Sequence, residues 1–377
     1  MNNNETTRKR VRFAAIDQYV ERNVVLPTEK TSLTRNVVEW GEGNVYPDYL
    51  LSLYNSVPTL RTIINGNIDF ITGDDITIQS LDGRFGDGVM NRRGDTIREQ
   101  VRDLAKDFEI YGGFALGINR DHNGDIAEID YIDMRFLRMN EDCNVFYYCE
   151  SWGRRSRHET KVYPKFNPNL EWSLLDEEAQ QRNAYSILFV KNVHTQTYPA
   201  PLYAASILDC ETEKAISEFH WNSINHGFVP SMIINFNNGE PTEQQKDEIA
   251  EDIEDKFAGQ QNGGRFMLCF NKNKDSAVTF ETPKVEDFGE RYRSLAEDSR
   301  RKIFTAFRAM PLLFGLSYEA NTGFSTDEFE QSFKLYNRTQ IRPVQRKITD
   351  AYERIFKQPG VLSIIPFSLE GTDSTVK

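Results

Sequence analysis

An α+β fold is predicted by three stretches of this sequence. Residues 39–110 carry apolar side chains at helical spacing. Residues 114–150 break into short, alternating runs separated by turns. The middle third reads helix, strand, helix, strand, helix. With 377 residues the chain has room for about two or three domains of roughly 150 residues each. Its hydrophobic share of 39% and aromatic share of 12%, including 25 Phe and 16 Tyr, suffice for packed cores.

Residues 1–35 are polar and mixed in charge, as expected of a mobile arm. Order begins with EWGEGNVYPDYLLSLYNSVPTLRTIINGNIDFITG (39–73). Pro47 and Pro58 suit the first turns of helices, where a proline loses no hydrogen bond, and Ser56 is the candidate cap of the second. Leu60, Ile63, Ile64 and Ile68 line one helical face, and DDITIQ (74–79) alternates like a strand. Thr96 to Ile110 forms an amphipathic helix on Ile97, Val101, Leu104 and Phe108, closed by Gly112-Gly113. Strands follow at 114–120, 125–133, 135–140 and 144–150. Asp121, Asn123 and Asp125 have the look of a calcium loop, but the sixth position, where such a loop needs glycine, holds Ile126. A hairpin turn is the expected structure. Residues 151–184 read as irregular, and YSILFVKNV (185–193) as a strand.

A long helix ending at Gly227 carries Ile207, Leu208, Ala215, Ile216 and Phe219 as its apolar face. The strand SMIINFN (231–237) follows it. A helix opened by the capping box Thr242–Gln245 then leads to the strand RFMLCFN (265–271). A second long helix, Phe288 to Ala309, has Tyr292, Leu295, Ile303, Phe304 and Phe307 as its stripe.

Composition narrows function. Mean hydropathy is −0.58 with 27% charged residues, as in a soluble protein. No run approaches the roughly 18 apolar residues that cross a bilayer, and the N-terminus lacks the apolar stretch of a signal peptide. The four cysteines fit neither a zinc spacing nor a disulfide framework, which points to a reducing cytoplasm. Cys143 and Cys149 could face each other across a hairpin; two unlinked strand thiols is the favoured reading. A net charge of −12 argues against a domain that grips nucleic acid, since grip comes from neutralising phosphates. It leaves open a protein that surrounds DNA without holding it. There is no phosphate-binding G-x-x-x-x-G-K-[ST], no G-x-S-x-G elbow and no H-E-x-x-H. The five histidines are scattered, and the acids of 243–255 alternate with lysines around a helix as on a solvated face. No catalytic residue, metal site or cofactor is expected, and the chain reads as a non-enzyme.

The stretch IFTAFRAMPLLFGLSYEANTGFSTDEFEQSF (303–333) stops one helix at Met310-Pro311 and starts another at Ser325. Ser325 and Glu328 form a second capping box. The new helix carries Phe329, Phe333 and Tyr336, and runs past Pro343 with a kink or restart to Val344, Ile348, Ala351, Tyr352 and Ile355. Two firmly specified helices thus flank a soft, neutral-to-acidic loop, which pattern alone would equally allow as a plain surface connection.

Four blocks in order resemble the portal proteins of tailed double-stranded DNA bacteriophages. The stretch 39–73 resembles the N-terminal signature of a branch found in phages and prophages of Bacteroidetes. FEIYGGFALGINR, FHWNSINHGFVPSMIINFNNGEPTEQQKDEI and FTAFRAMPLLFGL resemble later blocks of the family, over roughly residues 37–357. The resemblance implies a portal-type fold and a homo-oligomeric ring, usually of twelve subunits, at one capsid vertex. It implies a flexible arm at 1–36, a wing at 37–202, a first stem helix at 203–227 and a clip at 228–285. A second stem helix at 286–310, a tunnel loop at 311–326 and a wing helix at 327–357 would follow. After Lys357 only a short tail, 358–377, remains, so a crown is expected to be small, absent or cut away.

The implied partners are double-stranded DNA passing without sequence specificity, a terminase motor, a head–tail adaptor, and major capsid and scaffold proteins, with no membrane. The place of action would be the virion, after assembly in the bacterial host cytoplasm. Ser317, Tyr318, Glu319, Ala320, Asn321, Thr322 and Gly323 would form the tunnel loop. Asn237, Asn238, Glu240, Glu243, Lys272 and Lys274 would face the motor and adaptor. Glu211, Glu213 and Glu218 are candidates to pair across subunits with Arg291, Arg293, Arg300 and Arg301. Even one lysine per subunit at the bore of such a ring would supply the ~6–10 phosphate contacts that make binding strong. A conduit should present neutral or acidic groups instead, as Ser317–Thr322 do. Another virion structural protein, such as a head-completion or minor capsid protein, is the first alternative, and a nucleic-acid-processing enzyme the second.

Overall fold

Proline and a threonine cap set the first helices. The computed structural model describes residues 29–32, 36–79, 83–152, 159–192, 196–226, 232–236, 242, 266–270, 288–315 and 326–368. Strand β1 (Glu29–Ser32) pairs antiparallel with β2 (Val37–Trp40). β1 lies within the stretch expected to be a mobile arm. It is held because the Glu29 carboxylate accepts the backbone N–H groups of Thr197 (3.1 Å) and Tyr198 (2.8 Å).

Helices α1 (Tyr46–Ser56) and α2 (Pro58–Thr72) both carry proline in the first turn, as expected. Ser56 is not the cap of α2. It closes α1, its hydroxyl donating to the Ser52 carbonyl (2.7 Å), and Val57 takes the cap position without a side-chain bond. Strand β3 (Asp75–Ile78) precedes α3 (Ile97–Tyr111), which opens on a capping box. Thr96 accepts the Glu99 N–H, and Glu99 accepts the Thr96 N–H at 2.8 Å. Gly112 ends α3 at φ 85°, where a Cβ would stand 2.1 Å from the Ala200 carbonyl oxygen.

Strands β4 (Gly113–Arg120) and β5 (Ile126–Ile132) form the expected hairpin. At its turn the Asp121 carboxylate accepts the N–H groups of Asn123 (2.9 Å) and Asp125 (3.0 Å). Then come β6 (Leu137–Met139), β7 (Val145–Tyr148) and β8 (Lys161–Pro164). Cys143 and Cys149 flank β7 at opposite ends, both as free thiols. β8 and the short helix α4 (Glu177–Asn183) lie in the stretch that pattern reads as irregular, being too short to show a period. β9 (Tyr185–Lys191) completes an antiparallel sheet of order β5–β4–β9, and β6–β7–β8 form a second.

Helix α5 (Ile207–His226) leads to β10 (Met232–Phe236), which pairs in parallel with β11 (Phe266–Phe270). A parallel pair requires a crossover between its strands; the helix expected there, after Thr242, lies outside the described residues. Helix α6 (Phe288–Ala306) packs along α5. Helix α7 (Thr326–Tyr336) passes through a π-helical turn (Asn337–Ile341) into α8 (Arg342–Phe356). The expected kink at Pro343 is this turn: proline offers no N–H to the preceding turn, and the wider π spacing accommodates the gap. The cap residue Ser325 lies just outside the described residues. β12 (Leu362–Ile365), from the stretch expected to be a tail, returns to pair antiparallel with β3.

One core joins α2, α3, α8 and the inner face of β4, with Ile63, Ile64, Leu104, Leu116, Ile118 and Ile348 all at 0% exposure. Polar side chains cross it. Tyr352 donates to Gln100 (2.9 Å), and Gln345 to the Ile71 carbonyl (3.0 Å). Tyr336 donates to the Asn67 Oδ1 (2.7 Å), and Asn67 Nδ2 donates to Glu109 (2.8 Å). Arg138, 1% exposed, is held between the rings of Trp40 and Trp152 and donates to Asn44 Oδ1 (2.7 Å). Burial lowers its pKa to about 10.

Candidate functional site

The described part of the expected site is the α5–α6 pair and the root of the loop that follows it. On α5 the buried positions are Ile207, Cys210, Glu213 and Ile216, three residues apart. Leu208, expected on the apolar face, is 57% exposed, and on α6 Leu295 is 45% exposed while Ser299 is buried. The seam therefore takes one carboxylate and one hydroxyl in place of two leucines, and Thr59 of α2 reaches the carboxylate.

Thr59 donates to Glu213 Oε1 (2.8 Å), and Tyr49 to Glu211 Oε1 (2.7 Å). Arg300 Nε stands 4.0 Å from Glu213 Oε1, and Lys302 Nζ 3.3 Å from Asp209 Oδ1. Near the far end of the pair Tyr292 packs on Phe219, with ring centres 4.8 Å apart. A cavity of about 410 Å³ opens between the helices, lined by Glu213, Ser217, His220, Tyr292, Arg293 and Arg300, among others.

Of the residues expected to pair across subunits, Glu213 is buried and engaged within its own chain. Glu211 meets Tyr49 of its own α1. Glu218 lies 3.9 Å from Lys214, and Arg293 lies 3.3 Å from Glu297, each one helical turn away on the surface. Arg300 and Arg301 are exposed, and Arg291 sits in the first turn of α6. The contacts with Tyr49 and Thr59 join positions more than 150 residues apart, so no periodicity announces them. The available signal was Glu213 itself, an acid placed three residues from both Cys210 and Ile216 on a buried stripe.

The loop root is set by one aromatic side chain. After α6 a 3₁₀ turn, Pro311–Phe314, ends at Gly315 with φ 75°. Phe314 lies edge-on to Phe304 (5.9 Å), Phe70 (6.1 Å) and Tyr336 (5.9 Å). It fits because position 66 of α2 is glycine: a Cβ there would stand 2.6 Å from the Phe314 ring. Beneath it, Tyr336, Asn67 and Glu109 form the polar column described above. Burial raises the Glu109 carboxyl to about 7, with the Asn67 hydrogen bond opposing the shift. The tunnel-loop positions Ser317–Gly323 lie outside the described residues, as do Asn237, Asn238, Glu240, Glu243, Lys272 and Lys274.

Among the described residues, no group of three or more His, Cys, Asp and Glu side chains converges as metal ligands would, and no helix is long and apolar enough to cross a membrane. No protein-family profile matches the chain. No curated protein matches it either. Solved structures do. The chain is similar to one in the neck of a native gene transfer agent (GTA) particle computed with C12 symmetry. Identity is 15% and the TM-score 0.53, over 87% of this chain and 86% of that one. A chain in the virion of a native gene transfer agent particle matches at 15% identity and TM-score 0.52, over 86% and 84%. An HK97 family phage portal protein from Corynebacterium diphtheriae is more loosely similar, at 10% identity and TM-score 0.47 over 82% and 89%, too loosely to carry weight. The mixed helix-and-sheet fold of this chain is thus one found in the neck of a virion-like particle.

Proposed function

We propose that this chain is a portal subunit: one of a ring of copies, with twelve the expected number, that lines the DNA passage at a capsid vertex. The observation that carries the reading is the match, over most of both chains, to a neck chain computed with C12 symmetry. Four sequence blocks in portal order support it independently. On this reading α5 and α6 are the stem, β10 and β11 belong to the clip facing motor and adaptor, and 311–326 is the tunnel loop. Residues 37–202 with α7 and α8 make the wing. The role is structural, with no catalysis. DNA, terminase, adaptor and capsid proteins are the partners proposed. Membership of the Bacteroidetes branch rests on the block at 39–73 alone.

The fold suits a loop held at a bore. Both ends of 311–326 are anchored on one aromatic cluster, Phe314 on one side and Phe333 with Tyr336 on the other, so the residues between can project without loosening the body. Negative-stain electron microscopy of the purified chain is the test. A ring with a central hole is expected; a stable monomer or dimer at high concentration would overturn the reading.

A further inference from the structure

A second cavity, of about 400 Å³, lies where β9, the β6–β7–β8 sheet and α8 meet. Its floor is apolar, made by Phe146, Phe189 and Ala351. Its rim carries Lys165, Lys347 and Arg354, none of which has an ion-pair partner among the described residues. Lys191 also lines it, but its ammonium already donates to the carbonyls of Gln196 and Thr197. Asp350 is the single acid there. A pocket lined by four cations and one acid is unexpected in a chain of net charge −12. The pocket wants an anion with an apolar anchor.

The same chain carries a surface segment with that chemistry. Residues Glu171–Glu178 read EWSLLDEE, and Leu174, at 75%, is the most exposed large apolar side chain among those described. Glu171, Asp176, Glu177 and Glu178 surround it, offset only by Arg182, 3.9 Å from Glu178. In its own chain the segment does not line the pocket and is held elsewhere. Trp172 ties it to the β4–β5 turn by donating to the His122 carbonyl (3.0 Å), at the Tyr185 end of β9. The pocket takes Phe189, Val190 and Lys191 from the other end of β9, with Lys165 beside Ile187 in the middle of the strand.

We infer that the acidic segment Glu171–Glu178 of one copy docks in the Lys165/Lys347/Arg354 pocket of the next, with Leu174 on the apolar floor. Two different patches at opposite ends of one sheet make a head-to-tail contact, the kind that closes into a ring. The inference rests on the ring reading above and places a contact between wings, away from the stem.

A charge swap in the full chain tests it. One variant carries Lys347→Glu with Arg354→Glu, a second carries Glu177→Lys with Glu178→Lys, and a third carries all four. Each should melt as the wild type does. Sedimentation over a concentration series should show self-association weakened at least about tenfold in the first two and largely restored in the third. Single swaps that assemble like the wild type, or a combined variant no better than either, would overturn the contact while leaving the ring reading intact. If the wild type itself does not assemble, the ring reading fails instead. A labelled peptide of residues 169–180 then decides the contact. Salt-sensitive binding to wild type that is lost in Lys347→Glu/Arg354→Glu supports it, and no binding sinks it.

Discussion

Replacing Glu109 by glutamine should make the protein more stable at pH 8 and slightly less stable at pH 5. Glu109 is 2% exposed, and its carboxyl accepts from Asn67. In the unfolded chain it titrates near 4.5; in the fold burial raises it to about 7. The folded state therefore holds a proton that the unfolded state has lost between these values, so stability falls as pH rises through this window. Below the unfolded value the carboxyl is neutral in both states and costs nothing. Above the folded value the full cost is present, about 3 kcal/mol at 1.36 kcal/mol per pKa unit. Glutamine keeps an acceptor for Asn67 and never ionises, but its amide adds a buried donor costing about 1–2 kcal/mol at every pH. A gain of roughly 1–3 kcal/mol at pH 8 is the net expectation. Urea unfolding of wild type and Glu109→Gln from pH 5 to pH 8, followed by tryptophan fluorescence, measures it. The difference between the two should grow with pH and level off above about 7. A difference that stays flat across this range would show that Glu109 ionises without cost, and that the column under the loop root is not dry.

Gly66→Ala should lower stability by about 1–2 kcal/mol: overpacking costs roughly 1–3, and the helix propensity of alanine returns up to about 1. Adding Phe314→Leu should recover part of the loss in a thermal melt, because the ring is what the new Cβ strikes. Thr96→Ala removes the cap of α3 and should cost about 0.5–2 kcal/mol by chemical denaturation, with Thr96→Ser close to wild type. Glu319→Lys with Asn321→Lys, in the proposed tunnel loop, should leave ring formation unchanged in micrographs and reduce the DNA packaged into particles. Loss of the ring itself would make the loop structural and the proposed bore wrong.

Local order was legible wherever the signal was local. Pro47, Pro58, Thr96 and Gly112 mark helix ends because a first turn has unpaired N–H groups and a left-handed residue needs no side chain. The 121–125 turn was legible because Ile126 stands where a calcium loop needs glycine, leaving Asp121 to close a hairpin. The α5 face was misread: Leu208 looks inward by composition, yet Glu213 is the residue that is buried. Its place was decided by Thr59 and Arg300, which the chain brings there from distant positions. β1 and β12 were likewise invisible in pattern, since strands of four residues carry almost no periodicity and are ordered by the partners they pair with. The sequence by itself determined where helices start and stop, the alternation of the central strands, and the acidic balance that rules against a DNA-gripping surface. Only the tertiary structure decided which charges are buried, that Phe314 seats over Gly66, and that a basic pocket and an acidic segment lie at opposite ends of one sheet. Spacing along a chain specifies one element's faces, whereas burial and pairing depend on which other elements arrive.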